Sequence, residues 1–281
     1  MWDPHPNWPL RFANFVSNSY EEVIFRGVIL GLLLTVLGDQ RRCHTLADTI
    51  VDNRTRPRTC GTSMEHFPKD IYTEPEPEAD TLRNLGPLTE MAGLWTGTGG
   101  LDVNPKPDGP ERQPFVEHIE LQPIDAQTNG PQLFYGLRYH TRIIKPGDDE
   151  TLHDQVGYWL WEPATGTVIQ TLSIPRGQVA MAVGRATADA RTFRLQAVRG
   201  STTNGIVSDP FLEHAFRTES YTITVQINVD GTWSYELDTV LTIPGQTGPF
   251  HHTDRNTLRR IGAPIPNPTA QAAALRSGEA S

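Results

Sequence analysis

Residues 221–243 read YTITVQINVDGTWSYELDTVLTI. Tyr221, Ile223, Val225, Ile227 and Val229 alternate with Thr222, Thr224, Gln226 and Asn228, the two-residue period of a strand with one buried face. Asp230-Gly231 interrupts the pattern with a turn pair, and Trp233, Tyr235, Leu237, Thr239, Leu241 and Ile243 then resume it. The stretch 217–243 therefore predicts a β-hairpin. Towards the N-terminus, similar stretches recur at 191–199, 178–187, 167–174, 152–162, 132–145 and 115–124. Turn-forming runs such as Pro163-Ala164-Thr165-Gly166 and Lys145-Pro146-Gly147-Asp148 separate them. Short connections without helix-length crossovers predict an all-β fold, a single antiparallel up-and-down β-barrel of about ten strands, which leaves no sheet edge exposed. A barrel of that size encloses more space than its own side chains fill, so an apolar ligand is expected inside.

Composition narrows the function. The chain of 281 residues carries 24 Lys and Arg against 33 Asp and Glu, a net charge of -9. That balance argues against a nucleic-acid backbone or an anionic membrane as partner. The 24 Gly and 23 Pro suit many turns and short elements. Cys43 and Cys60 are the only cysteines, so the barrel is compatible with a reducing compartment, and both are read as free thiols without function. The apolar run Gly27–Gly38 falls short of the ~20 residues that span a bilayer. Asp3, Glu21 and Glu22 precede it in place of a basic leader, so a cytoplasmic protein is expected, with secretion through residues 27–38 as the alternative. The resulting division is a poorly structured N-terminal extension at 1–63, with Met64 as an alternative natural start, an extended lead-in at 64–85, the barrel at 86–262 and a disordered tail at 263–281.

Hydrolase and nucleotide chemistry find no support. The chain has no Gly-x-Ser-x-Gly elbow, phosphate-binding Gly-Lys-Ser/Thr loop or dinucleotide fingerprint. Glu117, His118 and Glu120 share one expected strand, but too few ligands converge there for a metal, and a solvated face is the simpler reading.

Three stretches carry a resemblance. Gly93-Leu94-Trp95-Thr96-Gly97-Thr98-Gly99 places alternate glycines around an indole, which suits sharp bending and a plugged barrel end. Leu152-His153-Asp154-Gln155-Val156-Gly157-Tyr158 lies on an expected middle strand, and Pro249-Phe250-His251-His252-Thr253-Asp254 follows the last long one. Together they resemble the nitrobindin family over about two thirds of the chain. The match is closest at Gly93, Trp95, Gly97 and Gly99, whereas Thr253 stands where that family commonly has Leu after its histidine.

The resemblance implies a barrel holding b-type haem, with His252 as axial ligand and His251 as its rival. Leu152 and His153 would line the pocket, although neighbours on a regular strand face opposite ways unless a bulge intervenes. It further implies ferric haem that meets nitric oxide or peroxynitrite and isomerises the latter to nitrate, with no catalytic residue beyond the haem. A monomer or a homodimer would serve. Two other readings stand beside it: a non-enzymatic carrier of a fatty acid or other apolar molecule, and a scaffolding barrel. For the histidine segment, the alternative is that His251 and His252 cap a short helix over 253–260.

Overall fold

The computed structural model describes residues 68–278. The elements among them are β1 (Gly93–Asn104), β2 (Glu111–Asn129), β3 (Gln132–Ile144), β4 (Thr151–Glu162), β5 (Thr167–Ile174), β6 (Gln178–Arg185), β7 (Thr192–Val198), β8 (Ile206–Ser208), α1 (Pro210–Ala215), β9 (Arg217–Ile227), β10 (Trp233–Thr242), β11 (Phe250–Gly262) and α2 (Pro268–Ser277). Antiparallel pairing runs from β1 to β7, passes to β9, β10 and β11, and returns to β1. Ten strands thus close the barrel, and the three-residue β8 adds to β6. No described helix is long and apolar enough to cross a membrane. Cys43, Cys60, the run 27–38, Met64 and the extension 1–63 lie outside the described residues.

The hairpin forms as its alternation requires, with Trp233 opposite Ile227 and Tyr235 opposite Val225. Tyr221, Ile223, Val225 and Ile227 are buried, but Val229 is 97% exposed. The Asn228 N–H bonds the Thr232 carbonyl at 2.9 Å, so the loop begins before Val229, where no facing strand covers it.

One end of the barrel is filled. A short 3-10 helix, Gly86–Met91, seats Leu88 and Met91 with no exposure, and burying each such side chain contributes about 1.5–3 kcal/mol. Gly86, at φ +55°, approaches so closely that a Cβ there would lie 2.5 Å from the Trp161 indole. Trp95, 1% exposed, donates from Nε1 to the Met91 carbonyl at 2.7 Å. It meets Trp233 edge-on at 6.1 Å, and the Arg260 guanidinium lies 4.7 Å over its ring.

Two local expectations need correction. Residues 253–260 form no helix, because β11 runs through them and pairs with both β10 and β1. Without that strand both neighbours would present unpaired edges, and closure outweighs the local capping signal. The tail is ordered as far as it is described. Asn267, 1% exposed, accepts from the Thr81 N–H at 3.1 Å and donates to the Ala79 carbonyl at 2.8 Å and Asp125 Oδ1 at 2.7 Å. Those bonds tie the lead-in and tail to β2, and α2 follows.

Candidate ligand cavity

Away from the filled end, the barrel encloses a cavity of about 510 Å³, within the range of small-molecule and cofactor sites. Its wall includes His252, Asp254 and Asp102 on one side and Leu152, His153 and Gln155 on β4. Two irregularities of the sheet place these side chains.

The first is in β1. Gly97 pairs with Glu117 and Gly100 with Phe115, so three steps on β1 match two on β2 and one residue is extra. The bulge reverses the inward phase of the strand. Trp95 and Gly97 are buried before it, whereas Asp102 and Asn104 line the cavity after it. Glycines at 97, 99 and 100 suit such a bulge.

The second is in β4. Ile143 pairs with His153 but Ile144 with Thr151, which leaves Leu152 as the extra residue. Leu152 and His153, neighbours in sequence, consequently both line the cavity. The His153 ring lies 3.3 Å from Gln155 Oε1, and the Gln155 amide donates to the Tyr139 hydroxyl at 2.6 Å. Burial holds the His153 imidazolium pKa below its ordinary value, with a smaller downward push from His252.

β11 is regular against β10, so His251 and His252 face opposite ways. His251 is on the outer surface, its Nδ1 3.0 Å from both oxygens of Asp238. His252 faces the cavity, with Nε2 2.8 Å from Asp102 Oδ1 and 3.9 Å from Asp254 Oδ2. Nδ1 of His252 makes no hydrogen bond among the described residues. Burial lowers the His252 pKa, but Asp102 and Asp254 outweigh it and the net shift is upward. Burial also pushes Asp254 up to about 6, with Asp102 reinforcing it against the pull of His252. The ligating atoms of Asp102, His252 and Asp254 lie within 4.8 Å of one another.

Deeper in the cavity lies Glu117, for which the expected solvated face does not hold, because it stands on the inward face of β2. It is 2% exposed and accepts at Oε2 from the Tyr235 hydroxyl and the Asn256 amide, each at 2.9 Å. Burial pushes its carboxyl up to about 7, against the pull of those two donors. The alternation of Phe115, Glu117, Ile119 and Leu121 was the available signal, since it sets Glu117 on the apolar face and His118 and Glu120 on the outer one. Gly97 makes room for this group, as a Cβ there would lie 2.4 Å from Asn256 Nδ2. Gly97→Ala is expected to cost about 1–2 kcal/mol through overpacking, read as a lower urea midpoint at unchanged slope. An unchanged midpoint would mean that Asn256 moves freely.

None of Gly93, Trp95, Gly97 and Gly99 lines the cavity. Trp95 closes the barrel and the glycines shape β1 around it. The cavity brings together His252, His153 and Leu152 and leaves His251 outside.

A fit to a haem-type iron can be judged from the donors. An imidazole in the cavity wall, with one nitrogen held by a carboxylate and the other without a partner, is the usual form of a histidine metal ligand. The family model described as "THAP4-like, heme-binding beta-barrel domain" matches residues 84–260. The crystal structure of Rv2717c from M. tuberculosis is similar at 22% identity and a TM-score of 0.45, over 64% of this chain and 96% of that one. No curated protein matches the chain.

Proposed function

The chain belongs to the THAP4-like, haem-binding β-barrel family, and on that premise we propose that its cavity holds b-type haem on His252 and turns peroxynitrite into nitrate. The observation that carries the reading is the inward His252, with Asp102 on Nε2 and Nδ1 left without a partner. Bound haem would supply a ferric iron open to nitric oxide or peroxynitrite. Peroxynitrite and nitrate contain the same atoms and electrons, so the chain need provide no reductant and no net proton. Its residues then have three tasks. Asp102 orients His252; Leu152 and neutral His153 occupy the wall of the same cavity and shape the space around the ligand; and Trp95 with the 3-10 helix keeps the far end shut to water.

The test is a haemin titration of the full-length chain. A Soret band saturating at one haem per chain is expected, followed by faster nitrate formation from peroxynitrite in stopped flow than free haemin gives. A stoichiometric band without faster nitrate formation removes the isomerase and keeps the haem. Without a band, an apolar carrier becomes the better reading, and lipid extracted from the purified protein would identify its cargo.

A further inference from the structure

We propose that Asp102, His252 and Asp254 form a site for one divalent transition-metal ion of the zinc class, bound directly by these side chains when the cavity holds no haem. The site shares His252 with the haem reading but does not depend on it, since the chain alone supplies the ligands.

The sheet gathers the three groups. Asp102 on β1 pairs directly with Asp254 on β11, and the β1 bulge turns it to the same inward side. His252 and Asp254 stand two residues apart on one face of β11, as the strand period requires. Nε2 of His252 lies 2.8 Å from Asp102 Oδ1 and 3.9 Å from Asp254 Oδ2, and the ligating atoms of all three lie within 4.8 Å of one another. A tetrahedral zinc-type ion holds nitrogen and carboxylate oxygen at about 2.0–2.2 Å, so two of its ligands stand roughly 3.4 Å apart. The two separations from Nε2 bracket that spacing, and small side-chain rotations would bring the set onto an ion.

Charge points the same way. The side chains of Asp102 and Asp254 are only 21% and 15% exposed, and among the described residues their ion pairs are with His252 and not with Lys or Arg. One imidazole is thus their shared partner, and even when protonated it leaves the group one negative charge in excess. Carboxylates withdrawn from water are ordinarily paired or bound to metal. A divalent ion balances both, and would take the place of the proton between Nε2 and Asp102.

Asn104 adds an independent observation. It lines the same cavity and its amide nitrogen donates to Asp102 Oδ2 at 2.8 Å, while its Oδ1 is buried without a hydrogen-bond partner among the described residues. A buried amide oxygen is rarely left unsatisfied. Beside Asp102, it is an oxygen free to join the ion or to hold a water that does. One imidazole with oxygen ligands suits Zn2+ or Co2+ and not the thiolate-seeking Cu+. His251 has a single carboxylate, Asp238, on the exposed outer face, and no such set forms there.

The experiment titrates Co2+ into the full-length, haem-free chain, as wild type, Asp254→Asn, Asp102→Asn, Asn104→Ala and His251→Ala. The first equivalent is expected to give ligand-field absorption without a sulfur-to-cobalt charge-transfer band, and Zn2+ is expected to displace it. Asp254→Asn and Asp102→Asn should each weaken Co2+ binding more than about 100-fold, since loss of even an outer partner of a metal ligand costs about 10–100-fold. Asn104→Ala should weaken it about 10-fold, and His251→Ala should leave it unchanged. The site is overturned by the absence of a cobalt band, by thiolate charge transfer, which would move the ion to Cys43 or Cys60, or by a band that both aspartate variants retain. Should one aspartate variant not fold, the other decides; should neither fold, unchanged affinity in Asn104→Ala overturns the site. Haem uptake is measured separately. A chain that takes up haem and no Co2+ keeps the haem reading and loses this site, whereas one that takes up Co2+ and no haem keeps the site alone.

Discussion

Replacing His252 by alanine is expected to abolish the stoichiometric Soret band of the haem-loaded chain, whereas His251→Ala is expected to leave it intact. The two residues are adjacent and chemically identical, so the contrast rests on the phase of β11 alone. His252 shares the inward face with Asp254, Asn256 and Leu258, and Leu258 is fully buried. His251 shares the outward face with Thr253, Arg255 and Thr257, and is engaged with Asp238 on neighbouring β10. Moving His251 into the cavity would require a register slip of β11 by one residue, which would turn Asn256 and Leu258 out of the core. The effect of His252→Ala should therefore be all or none, with loss of the axial bond and not a graded change. A band that survives His252→Ala and disappears in His251→Ala would mean that β11 sits in the other register in solution. A band that survives both variants would assign the axial bond elsewhere, with His153 the next imidazole on the cavity wall.

The second large effect concerns stability. Glu117→Gln is expected to gain about 3 kcal/mol on wild type between pH 4.5 and pH 8, measured by urea unfolding of the haem-free chain. Burial moves the carboxyl from its ordinary 4.5 to about 7, a difference of roughly 1.4 kcal/mol per unit. The folded state thus holds a proton that the unfolded state releases between about pH 4.5 and pH 7. Wild-type stability from this group is full below about 4.5, declines as pH rises through 7 and is level above. Glutamine keeps an oxygen for the Tyr235 hydroxyl and the Asn256 amide while carrying no charge, so its stability should not follow that decline. Parallel pH profiles for the two proteins would show that Glu117 is solvated or paired in solution.

The identity of the site was partly legible along the chain. His252, His153 and Leu152 stand out by resemblance, and all three reach the cavity. Glu117 was readable in principle, because alternation places it among apolar residues, but a carboxylate flanked by His118 and Glu120 looks like part of a solvated strand. Asp102 and Asp254 gave no signal. Each is one acidic residue among many, and their significance arises only when β1 and β11 pair.

What the amino-acid sequence determined alone was the all-β class, the strands between residues 115 and 199, the hairpin at 217–243 and the plugging motif around Trp95. These follow from two-residue periodicity and turn chemistry, which act between near neighbours. The tertiary structure decided the rest. Barrel closure made 250–262 a strand where local pattern allowed a helix, because two open edges needed a partner. The bulges in β1 and β4 each add one residue, and one residue reverses which face a side chain takes. For that reason Asp102 points at His252, and Leu152 faces the same cavity as His153. Periodicity within a strand cannot reveal such a shift, since it is defined only against the strand next to it.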